Sequence, residues 1–250
     1  MTIAISQPTY LPWLCYFDLI DQSDTFVLLD SVQFEKQSWQ QRNRIKTPSG
    51  LLWLTVPVVF RGRLEQRIHE VEIRDAGFWQ KHVRAIELSY RRTPYFNRYF
   101  PQVAEILQSC GPGSLLADLN FRLIRWFCGV LGIRTPLLRS SNMNEEGRRS
   151  EFLVNVCRSL HADVYLSPLG SASYLLEDIQ RFSDAGISVV FQHYEHPEYR
   201  QLFPPFCPYA SSLDLILNEG ENSMAILRSG RKPPFKPEKV PCATESLENG

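Results

Sequence analysis

Two short apolar runs near the start of the chain flank a helical pattern. Residues 3–6 form a β-branched run that stops at Gln7 and Pro8, because proline lacks the N–H that a central strand needs. Apolar residues then recur at helical spacing over residues 13–20, and a second β-branched run follows at 25–32. The pattern predicts a strand, a helix and a strand, which together form a βαβ unit.

The next segment predicts a β-hairpin. Residues 41–59 divide into two strands at Pro48-Ser49-Gly50, a sequence that is typical of a tight turn. Apolar and polar residues alternate over 68–73, which predicts a third short strand.

Helical periodicity dominates the middle of the chain, and α/β alternation returns after it. Three-four spacing of apolar residues predicts an inserted helical layer at about 76–132. Later segments predict helices at 150–161 and 171–185, strands at 163–167 and 187–192, and a final helix at 211–220. Residues 229–250 contain many prolines and charges and few apolar residues, which predicts a disordered tail.

The predicted fold class is therefore α/β. We expect a Rossmann-like, mostly parallel sheet with a β-hairpin insertion and a central helical layer, in a single domain of residues 1–228.

Composition narrows the choice of partners. Lys plus Arg and Asp plus Glu number 27 each, so net charge gives no reason to expect nucleic acid as a partner. No apolar run reaches the roughly 20 residues of a membrane-spanning helix, and no signal core precedes the first strand. We therefore expect no membrane span and a cytoplasmic location. The sequence leaves the oligomeric state open.

The sequence contains no recognisable cofactor or metal motif. Six cysteines are scattered without a CxxC pair, as buried free thiols are, so we predict no metal site. Because a Walker loop, a dinucleotide fingerprint and a Gly-x-Ser-x-Gly string are all missing, we predict no cofactor. The expected partner is a small-molecule substrate.

Polar residues follow both strands of the βαβ unit. Gln7 and Tyr10 follow the first strand, and Asp30 and Gln33 end the second. Because the carboxyl ends of parallel strands share one edge, we expect these residues to face one crevice and contact substrate. The alternative is that the prolines of this loop shape a turn and Tyr10 packs in the core.

The hairpin supplies a candidate anion clamp. Arg42 and Asn43 lie at the start of its first arm, with Trp39 just before them. A guanidinium binds phosphate or carboxylate with two parallel hydrogen bonds, so this pair is the best candidate for holding an anion. The alternative for Arg42 is a cross-strand salt bridge.

A hydroxyl-rich turn joins a later strand to a helix. Ser167, Ser171 and Tyr174 belong to this turn, where helix N–H groups favour an anion, and we predict that they bind substrate. The alternative for Ser171 is plain capping of the helix.

Two histidines follow the last predicted strand. His193 and His196 flank Glu195, and Tyr199 comes next among the aromatic residues. A histidine at a strand end, beside a carboxylate, suits a general base, so both are candidate catalytic residues and Tyr199 a substrate contact. The alternative is that both histidines are loop residues packed on aromatic rings. Metal binding would need a third ligand, which this spacing does not supply.

Several polar and aromatic strings stand out along the chain: QPTYLPWLCYF, LDSVQFEKQSWQQRNRI, LTVPV, YLSPLGSASYL, HPEYRQ and SSLDLILNEG, in that order. Together they resemble the WbqC-like protein family. The resemblance implies a role in O-antigen or other surface-polysaccharide biosynthesis, or in natural-product biosynthesis. It also implies a transferase that adds an aminoacyl or similar group to an amino sugar.

A second resemblance is to the nucleotidyltransferase type of α/β fold. In that fold the first helix carries a His-x-Gly-His motif, but residues 12–15 (PWLC) occupy its place here and supply no imidazole. The likeness therefore extends to the fold and gives no support to nucleotidyl transfer.

Two hypotheses follow from these observations. The first is a group-transfer enzyme acting on an amine-bearing sugar or metabolite, with His196 as base, Asp30 orienting the amine and Arg42 holding a phosphate or carboxylate. Its substrate would be a nucleotide sugar or a carrier-linked amino acid. The second is a non-catalytic protein that binds a sugar or a partner through exposed aromatic side chains.

Overall fold

The computed structural model of the protein describes residues 1–63, 65–75 and 77–241. Its strands are β1 (Thr2–Ser6), β2 (Thr25–Leu28), β3 (Arg42–Thr47), β4 (Gly50–Thr55), β5 (Leu137–Arg139), β6 (Val164–Ser167), β7 (Ser188–Tyr194) and β8 (Arg231–Phe235). Its helices are α1 (Leu14–Asp21), α2 (Phe78–Tyr90), α3 (Phe96–Gln108), α4 (Leu116–Leu131), α5 (Ser150–Ser159), α6 (Ala172–Leu175), α7 (Ile179–Asp184), α8 (Ser212–Glu219) and α9 (Ser223–Ser229).

A six-stranded sheet forms the centre of the molecule, in the order β5-β2-β1-β6-β7-β8. The first five strands in this order are parallel, and β8 pairs antiparallel with β7 at the edge. β1 is central and its inner residues are fully buried, which explains why its sequence is continuously apolar. The prediction of an α/β fold with a mostly parallel, Rossmann-like sheet is confirmed.

The sheet has a topological switch point between β1 and β6. From β1 the chain adds β2 and β5 on one side, then crosses to add β6 and β7 on the other. Loops that leave neighbouring strands in opposite directions open a crevice at the carboxyl ends of those strands. Gln7 and Ser167 therefore stand at the two sides of this crevice.

The predicted hairpin and helical layer are both present. β3 and β4 form a separate two-stranded sheet, and α2, α3 and α4 follow it along the chain. The prediction of a third strand at 68–73 is wrong, because residues Ile68–Glu70 form a 3₁₀ turn. The Glu70 carboxylate accepts a hydrogen bond from the Arg67 N–H at 2.7 Å and so caps this turn, while Ile68 and Val71 are buried three residues apart.

Apolar side chains form two separate clusters. The larger packs α1, the hairpin, the helical layer and α8 together, and the smaller packs α5, α6 and α7 against the other strand residues. Ala4 of β1 belongs to the larger cluster and its neighbours Ile3 and Ile5 to the smaller. Alternation along a strand sends successive side chains to opposite faces, so the sheet separates the two clusters.

The prediction of disorder for residues 229–250 is wrong for its first half. Residues 231–235 form β8, and residues 237–239 form a 3₁₀ turn, while 242–250 lie outside the described residues. Prolines are tolerated in β8 because it is an edge strand. Arg231 of β8 also reaches α1, where its Nε donates to the buried Asp18 carboxylate at 2.7 Å and its Nη2 to Asp21.

Replacing Arg231 with leucine is expected to lower the free energy of unfolding by about 2 kcal/mol, because it leaves the Asp18 carboxylate without its cationic partner. Asp18 keeps hydrogen bonds from Gln22 and Gln192, which limits the loss. Arg228→Leu is the matched control, because Arg228 binds Asp21 but is 55% exposed. Urea unfolding should show a clearly larger loss of unfolding free energy for Arg231→Leu than for Arg228→Leu. Equal losses would contradict an ordered edge strand that is held to α1 by Arg231.

Among the described residues, no helix combines the length and the apolar character that crossing a membrane requires.

Candidate functional site

The outer face of the hairpin carries two arginines stacked on tryptophan. The Arg42 guanidinium carbon lies 4.5 Å from the centre of the Trp53 ring, and that of Arg44 lies 5.3 Å from the same ring. Arg44 also lies 5.5 Å from the centre of Trp39, and the two indoles are 5.4 Å apart. We call Trp39, Arg42, Arg44 and Trp53 the arginine–tryptophan face.

Neither guanidinium of this face has an acidic partner among residues 1–63, 65–75 and 77–241. No carboxylate there lies within 4.0 Å of Arg42 or Arg44, and the Nε atoms of both are buried without a hydrogen-bond partner. Two cations held against one ring repel each other, and a buried N–H without a partner is costly. A bound anion would remove both costs, so the arrangement suits recognition of phosphate or carboxylate.

Strand alternation explains why the sequence indicated only half of this face. Asn43 follows Arg42 but points to the other side of β3, where it is 1% exposed and donates to the Leu11 carbonyl at 2.8 Å. Arg44 lies two residues after Arg42 and opposite Trp53 in the hairpin register. A period of two, applied to the predicted hairpin, would have selected Arg44 and Trp53 in place of Asn43.

His196 lies in a cluster of aromatic rings after β7. Its ring centre is 5.2 Å from that of Tyr209, 5.9 Å from Phe206 and 6.2 Å from Tyr199. Its Nδ1 lies 3.0 Å from the Pro197 carbonyl and must donate there, so the tautomer has its lone pair on Nε2. That Nε2 is buried without a partner, and burial lowers the pKa of His196.

Backbone contacts join the His196 cluster to the hairpin. Tyr209 packs edge-on against Trp13 at 5.4 Å. Ser211, two residues further, donates its N–H to the Arg44 carbonyl at 2.8 Å. Residues at the starts of α1 and α8 therefore contact the two segments, so that they link the loop that carries His196 to the strand that carries Arg42 and Arg44.

Gln7 lies beside this assembly, whereas Tyr10 is part of the core. The Gln7 side-chain oxygen accepts from Gln40 Nε2 at 2.9 Å, which ties the end of β1 to the segment before the hairpin. Tyr10 is fully buried, with its hydroxyl 2.7 Å from His82 Nδ1, and burial lowers the pKa of His82 to about 4. The position of Tyr10 matches the alternative of core packing and leaves no surface for substrate.

Asp30 occupies a buried polar network at the ends of β2 and β5. Its carboxylate is 1% exposed and accepts from Arg139 Nε at 2.6 Å, Ser141 N at 2.8 Å, Ser141 Oγ at 2.9 Å and Ser140 Oγ at 3.2 Å. Four donors saturate both of its oxygens. The network therefore fits a structural role, joining two strand ends, better than the predicted orientation of an amine.

A second set of predicted residues lies on the other face of the sheet. Ser167 is buried and donates to the Pro168 carbonyl, and Ser171 caps α6 by position without a side-chain hydrogen bond. Tyr174 is exposed, and His193 stacks on Phe235 of β8 with ring centres 4.1 Å apart. Ser167 pairs with Phe191, which belongs to the smaller apolar cluster, so these residues face away from the hairpin. The substrate contacts predicted for Ser167, Ser171 and Tyr174 and the catalytic role predicted for His193 stay predictions.

Two further predicted residues take part in contacts within the protein. Tyr199 is buried and donates to the Asp214 carboxylate at 2.8 Å, and burial raises the pKa of Asp214. Gln33 is exposed and bridges to Arg67 at the 3₁₀ turn. Tyr199 thus supports the His196 cluster from within.

Comparison with known proteins places these features in a family. The sequence model described as the WbqC-like protein family matches residues 7–226. The chain belongs to the WbqC-like protein family. Its matched region begins at Gln7 and includes the arginine–tryptophan face and the His196 cluster.

One curated relative of this family member comes from Mycobacterium tuberculosis. The relative, "Uncharacterized protein Rv1507c", is 37% identical over 237 residues, which cover 92% of this chain and 99% of its own. No solved structure matches the chain.

Proposed function

We propose that this WbqC-like protein is a group-transfer enzyme that moves an aminoacyl or similar acyl group onto an amino sugar or another amine. The proposal includes a role in surface-polysaccharide or natural-product biosynthesis. The observation that carries it is a pair of arginines that have no acidic partner among the described residues, on a strand that contacts the segment following His196, whose Nε2 is buried without a hydrogen-bond donor.

The arginine–tryptophan face holds the anionic part of the substrate. Both guanidiniums stack on Trp53, so their planes are fixed and little rotamer freedom is lost when they bind an oxyanion. The exposed indoles, at 41% for Trp39 and 42% for Trp53, offer flat surfaces to a sugar or a base. A nucleotide-linked amino sugar carries both groups that this face would recognise.

His196 acts as the base. Its Nε2 accepts a proton from the attacking amine while the new N–C bond to the acyl carbon forms. The bond from the acyl carbon to its leaving group then breaks, and the proton passes from His196 to that group. Burial lowers the pKa of His196, so the imidazole is neutral and able to accept a proton at neutral pH. Asp30 and His193 have no part in this step.

Replacing His196 with glutamine is expected to reduce turnover about 10²–10⁴-fold, because general-base catalysis is lost, while substrate binding changes little. Turnover of the unaltered protein should fall only on the acid side of pH 6.5, because the pKa of His196 lies below 6.5, the ordinary value for histidine. Incubation with metabolite extracts, followed by mass spectrometry of products, provides the assay. His161→Asn is the matched control, since His161 is exposed at the end of α5; equal turnover in both variants would exclude His196 as the base.

The exposed tryptophans also support a second candidate, a non-catalytic sugar-binding protein. Two indoles more than 40% exposed on one hairpin face are a surface on which a sugar ring can stack. Saturable binding of a sugar nucleotide without any turnover would favour this candidate. Product formation that His196→Gln abolishes would favour the enzyme.

A further inference from the structure

A cavity of about 750 Å³ lies beyond the end of the hairpin. Its walls come from residues 57–62, from the segment that precedes β3 and from Arg74. Thr55 also lines it, and Thr55 pairs with Arg42 across the hairpin. The cavity therefore begins where the arginine–tryptophan face ends.

Three cations and no carboxylate line this cavity in the part of the chain that the structure describes. The cations are Lys36, Arg61 and Arg74. Lys36 lies 5.4 Å from the centre of the Phe60 ring, and none of the three forms an ion pair with a described carboxylate. Arg63, two residues after Arg61, is by contrast paired with Glu72 at 2.7 Å. The positive charge of these three exposed side chains is therefore not neutralised by a described carboxylate.

The remaining walls of the cavity are mainly apolar. Pro57, Val58, Val59 and Phe60 form one side. Gln41 uses its amide inside the protein, accepting from the Gln37 N–H at 3.0 Å and donating to the Val56 carbonyl at 3.2 Å. A volume in the range of 300–1,000 Å³ with mostly apolar walls and a few polar groups is typical of a small-molecule site.

We infer that this cavity binds a phosphorylated small molecule with a planar or apolar body, of the size of a nucleoside diphosphate. The phosphates contact Lys36, Arg61 and Arg74, and the body packs on Phe60 and the valines. A transfer reaction needs a donor and an acceptor, so the cavity would hold the reactant that the arginine–tryptophan face does not. The role of the cavity as the site of the second reactant rests on the proposed function, whereas the binding of a phosphorylated molecule in the cavity does not.

The test uses calorimetric titration of the full chain with ADP, pyrophosphate and adenosine. Arg42→Gln and Arg44→Gln are present together in the background protein, so that the two arginines of the arginine–tryptophan face cannot bind the phosphates. We expect saturable ADP binding that weakens with salt, weaker binding of pyrophosphate, and the weakest binding of adenosine. Adding Lys36→Gln, Arg61→Gln and Arg74→Gln should weaken ADP binding at least about 100-fold, because three charged contacts to the phosphates are lost.

Arg158→Gln in the same background is the matched control, because Arg158 is exposed at the end of α5 on the other face of the sheet. It should leave the ADP affinity unchanged. Absence of ADP binding in the background protein, or equal affinity after the three cavity substitutions, would overturn the inference. Either result would leave the proposed function intact, because that depends on Arg42, Arg44 and His196.

Discussion

Replacing Asp30 with alanine is expected to lower the free energy of unfolding by about 3–5 kcal/mol, the typical cost of breaking a buried ion pair. The carboxylate is 1% exposed and its removal leaves Arg139, which is 18% exposed, without its inner partner. The donors from Ser140 and Ser141 lose their acceptor at the same time. Urea unfolding, with the slope compared between variants, measures the change.

Asp118→Ala is the matched control for this prediction. Asp118 binds the same Arg139 guanidinium, but its side chain is 49% exposed. An exposed ion pair contributes about 1 kcal/mol or less, so Asp118→Ala should change stability little. If Asp30→Ala unfolded like the control and yet abolished turnover, Asp30 would be a substrate contact, and its structural assignment would be wrong.

The double substitution of Arg42 and Arg44 by glutamine is expected to weaken substrate binding about 10²–10⁴-fold, since each charge-assisted hydrogen bond contributes about 1.5–3 kcal/mol. The free energy of unfolding should rise, or fall by less than about 1 kcal/mol. No described carboxylate pairs with either guanidinium, so removing both charges relieves repulsion and costs only their stacking on tryptophan.

Arg84→Gln is the control for the arginine pair. Arg84 is exposed on α2 and paired with Glu87, so its replacement should affect neither binding nor stability strongly. Large destabilisation of the double variant with unchanged binding would mean that Arg42 and Arg44 support the hairpin and do not hold substrate. The single variants should each lose part of the affinity, which locates the anion between the two guanidiniums.

The fold was largely predictable because its signals are local. The β1-α1-β2 unit follows from two β-branched runs around a helical period, and the hairpin follows from Pro48-Ser49-Gly50. β8 was not predictable, because its prolines and charges are tolerated only by pairing with β7 and by the Arg231 contact with α1. The contact between Arg231 and Asp18 joins residues 213 positions apart.

The candidate site was predictable only in part, for a similar reason. Strand ends identify where polar residues gather, but they do not tell which face of the sheet each side chain takes. Ser167 and His193 lie on the face opposite to Arg42. The burial of Tyr10 depends on His82, which lies 72 residues away, and the four donors around Asp30 come from residues 139–141. Such partners become visible only once the chain is folded.

Nuclear magnetic resonance of the arginine Nε–H groups during titration with anions tests whether Arg42 and Arg44 form an anion site. Signals of Arg42 and Arg44 can be assigned from the two single glutamine variants. We expect pyrophosphate, and more tightly a nucleotide-linked amino sugar, to shift both signals together and saturably while the Arg158 signal stays in place. If both signals stay unshifted up to millimolar concentrations of every anion, these arginines do not form an anion site, and the proposed function loses its main support.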